Sequence, residues 1–202
     1  MKIIVIGATG TIGKAVAAAL EPRHEVVRVG YNSGDFTVDI GEVDSINALF
    51  QAVGRFDALV STAGAARFGT LDDLSESDFL LGLNNKLMGQ INLVRLGRGH
   101  VNDNGSFTLT SGVLSGEPIP GSSAISPANA GVEGFTRAAA LEMTRGVRVN
   151  TVSPVFVSET LAMMGMDAAT GMPAAEVAQA YVHAVEGGGN REVVDVRSYD
   201  RG

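Results

Sequence analysis

Lys2-Ile3-Ile4-Val5-Ile6-Gly7-Ala8-Thr9-Gly10-Thr11-Ile12-Gly13-Lys14 opens the chain and decides its fold. The run 2–6 is short, apolar and β-branched, and reads as a strand buried on both faces, as in the middle of a parallel sheet. Residues 14–20 are alanine-rich and predict a helix. Between them lie glycines spaced G-x-x-G-x-x-G. Gly7 lets the chain turn sharply off the strand. Gly10 leaves room for a phosphate beside the backbone, and Gly13 lets helix pack tightly on strand. The first helical N–H groups are then free to bind a pyrophosphate. Strand, glycine turn and helix together are the setting of a dinucleotide-binding loop. The same residues would also make an ordinary glycine-rich turn between a strand and a helix.

The rest of the chain narrows the choice. Its 202 residues predict a single domain over 1–202, and a hydrophobic share of 45% supplies a sizeable core. A formal net charge of −7 argues against nucleic acid or an anionic membrane as partner. The absence of cysteine excludes disulfides, a thiol nucleophile and thiolate metal sites. His24, His100 and His183 are scattered without ligand spacing, so no metal site is expected. No G-x-S-x-G elbow points to serine hydrolysis. Nothing resembles a signal peptide or an apolar span, and the expectation is a cytoplasmic protein. Asn104-Gly105-Ser106 reads as a turn.

Strand and helix patterns alternate to the end. Further strands are predicted over 25–29, 36–38, 57–61, 106–110, 147–152 and 192–196, and further helices over 45–53, 76–96, 126–143 and 173–186. Asp44 is the expected N-cap of the helix at 45, and Pro173 opens the last helix. This is the pattern of an α/β Rossmann-type doubly wound parallel sheet of about seven strands with helices on both faces. Ligands in such a sheet sit beyond the carboxyl ends of the strands, and four of those ends carry Gly7, Gly64, Ser111 and Ser153. These small residues either clear a crevice or simply form turns.

Five landmarks in order resemble the short-chain dehydrogenase/reductase family over nearly the whole chain. Gly7–Gly13 resembles its cofactor loop, in the spacing of divergent members. Asp39-Ile40 resembles the pair that contacts adenine, and Ser61-Thr62-Ala63-Gly64 resembles its Asn-Asn-Ala-Gly turn with both asparagines replaced. Thr110-Ser111-Gly112 carries the position of the family's serine, and the run 147–154, ending in Ser153-Pro154, is similar to its sixth strand. The resemblance implies an NAD(P)-dependent oxidoreductase. Its expected cofactor contacts are Gly7, Thr9, Gly10, Thr11, Ile12, Gly13, Tyr31, Asn32, Ser33, Asp39, Ile40, Ala63, Gly64 and Pro154. It also implies a homodimer or homotetramer built on the two long helices, and a lid between Pro154 and Pro173. That segment holds Met163, Met164 and Met166, which suit either a hydrophobic ligand or packing.

The resemblance fails where the family does its chemistry. Aligned through Ala130 to Arg137, the catalytic tyrosine position falls on Ile125 and the lysine position on Asn129. On the earlier helix the asparagine position falls on Lys86. Only Ser111 matches, and isoleucine cannot donate a proton. Tyr31, Tyr181 and Tyr199 lie elsewhere. Two readings remain. In one, the protein reduces a carbonyl or oxidises an alcohol at a rearranged site. There a desolvated Lys86 serves as acid, Ser111 holds a substrate oxygen and Asn129 bonds the ribose. In the other, the protein binds the nucleotide without turnover, as sensor or scaffold, and Lys86 is a solvated or ion-paired helix lysine. The second strand ends in Val29-Gly30-Tyr31-Asn32-Ser33 with no acid to hold a ribose 2′-hydroxyl, which leans to NADP over NAD. Arg28 and Lys14 are nearby cations, and Asp35 a nearby acid that could oppose the lean.

Overall fold

The opening strand, β1 (Lys2–Ile6), lies at the centre of the sheet in the computed structural model, which describes residues 1–198. Tyr199, expected in the tail, lies outside the described residues. The other strands are β2 (Glu25–Gly30), β3 (Phe36–Thr37), β4 (Phe56–Ser61), β5 (Val101–Thr110), β6 (Arg148–Ser153) and β7 (Val193–Asp195). They form a seven-stranded parallel sheet in the order β3-β2-β1-β4-β5-β6-β7. The helices are α1 (Thr11–Leu20), α2 (Val43–Val53), α3 (Glu76–Leu81), α4 (Met88–Gly97), α5 (Ile125–Glu142), α6 (Ser158–Met163) and α7 (Ala174–Glu186). None is long and apolar enough to cross a membrane.

Alternation along β1 divides the core in two. Ile3 and Val5 join Val16 and Leu20 of α1 and Val177 and Tyr181 of α7 on one face. Ile4 and Ile6 join Ile46 and Phe50 of α2, Leu93 of α4 and Val132 of α5 on the other. From Ile3 to Ile6 the strand therefore has no polar face, as its sequence requires. Because β2 and β4 flank β1 on opposite sides, the chain's order reverses there and a crevice opens above it. At the far edge Arg148 reaches from β6 to the last carbonyls of α7, donating to Ala184 O at 3.1 Å and Val185 O at 2.9 Å. A cation at that helix end satisfies acceptors that have no intrahelical partner.

Several boundaries differ from expectation. The helix predicted over 76–96 is interrupted by a π-helical turn, Gly82–Leu87, between α3 and α4. The glycines at either end make close approaches that fix the segment. A Cβ on Gly82 would lie 3.1 Å from Ala124 O, and one on Gly89 would lie 2.9 Å from Ile40 Cδ1. Such insertions recur at functional sites, because one extra residue re-aims its neighbours. Asp44 is not an N-cap. Helix α2 starts after Glu42 with no side-chain cap, and Asp44 sits in the first turn, where its charge still suits the helix dipole. Pro173 is the N-cap of α7 rather than its first residue. Strand β5 starts at Val101, and its pairing with β4 steps from Phe56–Val101 to Ala58–Ser106. The expected turn at Asn104 is the bulge that absorbs this shift, with Asn104 at φ +61. Helix α6 in the expected lid was not foreseen.

Candidate functional site

The glycine turn meets tight steric demands. Gly7 has φ +83, and a Cβ there would lie 2.7 Å from Thr62 Oγ1. A Cβ on Gly13 would collide with Gly7 O. Gly10 is looser, since its Cβ would meet only Gly7 O at 3.4 Å. It is the N-cap of α1 and offers no capping side chain, so the amides of Thr11, Ile12 and Gly13 begin the helix uncapped.

Above this turn lies a crevice of about 500 Å³. Of the expected nucleotide contacts, Gly7, Thr9, Gly10, Tyr31, Asp39, Ile40, Ala63 and Gly64 line it. Thr11, Ile12 and Gly13 stand behind them in α1, with Ile12 partly buried against the core. Asn32 and Ser33 are exposed outside the lining, and Pro154 belongs to a second cavity. Asp35 is not free to swing in, because its Oδ2 accepts the Arg28 N–H at 2.8 Å. The Arg28 guanidinium is held by Glu21 at 2.6 Å, and neither residue lines the crevice. Asp39 also lines it, with Oδ1 accepting the Gly41 N–H at 2.9 Å. Sequence reasoning missed Asn85, which lines the crevice and accepts the Ala65 N–H at 2.8 Å.

The second cavity holds about 140 Å³ and brings Lys86, Ser111 and Asn129 together with Ile125 and Pro154. Lys86 Nζ donates to Ser111 O at 3.0 Å. The residue keeps part of its surface open to the cavity, yet enough protein surrounds its ammonium that desolvation lowers the pKa to about 8. Its stem lies over Gly64, where a Cβ would be 2.8 Å from Lys86 Cγ. Gly64 lines the crevice, so a single glycine at φ +148 separates the nucleotide side from Lys86. Asn129 is 1% exposed, and its Oδ1 has no hydrogen-bond partner. Such a buried acceptor costs free energy until a donor reaches it.

Ser111 differs from expectation in its orientation. Its Oγ donates to Glu133 Oε1 at 3.0 Å, and Ser115 Oγ donates to the same oxygen at 2.6 Å. The hydroxyl proton therefore points at α5, and what Ser111 gives Lys86 is its carbonyl. Gln90 holds the residue before Ser111. It is fully buried one turn beyond Lys86 and clamps Thr110, donating Nε2–H to Thr110 O at 2.9 Å and accepting Thr110 N–H at 2.8 Å. Tyr181 is fully buried against Thr110 Oγ1 at 2.8 Å, and burial pushes its phenol up. A wider hollow of about 670 Å³ beyond Ser115 has no ionisable side chain in its lining.

Comparisons with known proteins agree with this fold. The family model described as Enoyl-(Acyl carrier protein) reductase matches residues 7–194. Hydroxynaphthalene reductase arp2 of Aspergillus fumigatus is 28% identical over 154 residues, 74% of this chain and 56% of that protein. A (2S)-[(R)-hydroxy(phenyl)methyl]succinyl-CoA dehydrogenase subunit of Thauera aromatica is 35% identical over 126 residues, 59% of this chain and 50% of that one. The chain thus spans little more than half the length of these relatives. Among solved structures, protein lin1944 of Listeria innocua is 43% identical with a TM-score of 0.92, covering 97% of this chain and 99% of that one. A small-chain dehydrogenase in complex with NADPH is 28% identical with a TM-score of 0.86, covering 100% of this chain and 97% of that one. With the sheet order, the glycine turn and a family match over all but the chain's ends, the chain belongs to the short-chain dehydrogenase/reductase family.

Proposed function

We propose that residues 1–202 form one NAD(P)-binding domain that takes NADP(H) in the glycine crevice. There it transfers a hydride between the cofactor and a carbonyl or alcohol held in the second cavity. The observation that carries this reading is the π turn, whose consecutive residues Asn85 and Lys86 line the crevice and the second cavity respectively. One short segment thereby sets the two cavities side by side.

The residues present fit the cofactor. The uncapped amides of Thr11, Ile12 and Gly13 suit a diphosphate, and Gly10 leaves its approach open. The orphaned Asn129 Oδ1 suits a ribose hydroxyl, the role left to it when its family position lost the lysine charge. The end of β2 presents Tyr31, Asn32 and Ser33, and Asp35 is engaged with the Arg28 N–H, which favours NADP over NAD. The NADPH complex of the related small-chain dehydrogenase supports the same preference.

A bound nicotinamide supplies the hydride. Lys86 Nζ holds the carbonyl oxygen and gives it the proton as the carbon–oxygen π pair moves onto oxygen. The amine then recovers a proton from solvent. A pKa of about 8 leaves Lys86 mostly protonated at pH 7 yet a better acid than an ordinary lysine. Leu80, Leu81, Met88 and Leu141 are exposed on α3, α4 and α5, which supports a homodimer or homotetramer built on these helices.

Parallel calorimetric titration with NADPH and NADH, followed by NADPH oxidation against a panel of carbonyl compounds, tests the reading. Tighter NADPH binding with turnover is expected. No heat with either nucleotide overturns it. Binding without turnover on any carbonyl supports the sensor or scaffold reading, which Ile125 and the engaged Ser111 hydroxyl favour.

A further inference from the structure

Lys86 is a desolvated cation without a counter-ion. Among the described residues no carboxylate pairs with it, and its ammonium donates to the neutral Ser111 carbonyl. The ionisable groups on the elements around it are otherwise engaged. From α5 comes Glu133, whose Oε1 accepts from both Ser111 and Ser115 and whose Oε2 lies 3.9 Å from Arg137. After Gly64 comes Arg67, exposed and paired with Asp78 of α3 at 3.4 Å. The remaining walls of the cavity are uncharged, with Val113, Leu114, Ile125, Val155 and Phe156 among them. Taking an ammonium from water into such a cavity is unfavourable unless an anion joins it. Two of its three N–H donors remain after Ser111 O takes one.

Resting on the hydride-transfer reading above, we infer that the second cavity takes a small carbonyl substrate with an anionic oxygen beside the reacting carbon, a 2-oxo carboxylate, and that Lys86 is its counter-ion. One ammonium donor holds the carbonyl oxygen and the other holds the carboxylate. The two substrate oxygens lie on adjacent carbons and reach a single nitrogen together. The cavity's roughly 140 Å³ is the share of about four or five waters, which suits a substrate of a few carbons. A neutral ketone of that size would leave the ammonium uncompensated. In the reduction, the hydride forms the new C–H bond at the carbonyl carbon, the proton from Lys86 forms the O–H bond, and the carboxylate is unchanged. The product is a 2-hydroxy acid.

Oxamate and oxamide have the same shape and differ in charge, and oxamate is a 2-oxo carboxylate analogue. Each is titrated calorimetrically into the NADPH-saturated protein at pH 8, in HEPES and in Tris. Oxamate should bind roughly 10- to 100-fold more tightly than oxamide. Because Lys86 is about half protonated at that pH, oxamate binding should take up about half a proton, read as a buffer-dependent heat. Lys86→Met should erase both the preference and the uptake. Lys86→Arg should keep the preference without the uptake, because arginine does not titrate there. Equal affinity for the two compounds, no proton uptake, no binding of either, or an unchanged preference in Lys86→Met overturns the inference. The wild-type contrast stands whether or not either variant folds. Failure of the broader reading looks different. If NADPH gives no heat but oxamate binds the nucleotide-free protein with proton uptake, only the cofactor assignment falls. If NADPH is oxidised by neutral carbonyls while oxamate is silent, only the substrate class falls.

Discussion

The crevice over β1 is walled largely by backbone, with Gly7, Gly10 and Gly64 presenting bare Cα atoms and the start of α1 its uncapped amides. The second cavity, a few ångströms away across Gly64, is defined by the ends of two side chains, Lys86 and Asn129. The two differ in what sustains them. Backbone walls survive most substitutions that keep the glycines, because their donors belong to the chain itself. The second cavity depends on one cation and one amide, each under-satisfied within the protein. Binding should therefore be robust and chemistry fragile, and the two should separate cleanly under mutation.

The largest separation is expected from Lys86→Met, which keeps an unbranched stem one atom shorter and removes the charge. Turnover of NADPH should fall by roughly 10²- to 10⁴-fold, the usual worth of a positioned acid. The calorimetric affinity for NADPH should stay within about twofold. A loss of affinity as large as the loss of turnover would show that the two cavities are one site energetically.

The same substitution has a signature in stability. The pKa of Lys86 falls from 10.5 unfolded to about 8 folded, so between those values the unfolded state binds more protons. Stability of the wild type therefore rises with pH across that window. The penalty of carrying the charge is complete below pH 8 and gone above pH 10.5. Lys86→Met should thus be the more stable protein at pH 7, by no more than about 3 kcal/mol, since part of the lysine faces the cavity. The advantage should vanish by pH 10.5, as read from urea unfolding at several pH values. A constant difference across the range would mean that the ammonium is well solvated.

The crevice should respond in the opposite sense. Gly10→Ala places a methyl group 3.4 Å from Gly7 O, an ordinary contact at an unstrained φ of −83. The melting temperature should barely move. The methyl group would still stand where a phosphate must approach, and NADPH affinity should fall about tenfold, or about 1.4 kcal/mol. Unchanged affinity would mean that the diphosphate does not cross Gly10.

The crevice was legible in the sequence because sterics leave a trace in residue type. Gly7 and Gly13 can be nothing larger, so their spacing announces the turn before any contact is known. The central strand was legible because Ile3 to Ile6 alternate between two apolar faces. The second cavity was only half legible. Alignment to the family's pattern brought Lys86, Ser111 and Asn129 forward, but direction is not written in a local pattern. Ser111 turns its hydroxyl to Glu133, 22 positions away, and Gln90 grips Thr110 across 20 positions. Contacts of that separation arise only once the sheet has closed. The π turn was hidden for a related reason. The pattern over residues 76–96 reads as one helix, and the turn is set by close approaches of Gly82 to Ala124 and Gly89 to Ile40, both more than 40 positions away.

The smallest effect belongs to Tyr181→Phe, which asks whether the missing acid is a tyrosine after all. Tyr181 comes within 2.8 Å of Thr110 Oγ1, one residue before Ser111. Its proton is already committed. Thr110 Oγ1 spends its own on Ser61 O at 2.5 Å, so the hydrogen bond with Tyr181 must be donated by the phenol. Its ring also belongs to the α1–α7 face of the sheet, while α4 and α5, which flank Lys86 and carry Asn129, cover the other. Removing the hydroxyl should cost about 1 kcal/mol of stability, one buried hydrogen bond. NADPH turnover should remain within about twofold of wild type, far below the roughly 10²-fold or more that loss of an acid would bring. A drop of that larger size, with affinity intact, would move the proton source across the sheet and leave Lys86 as an anchor for charge alone.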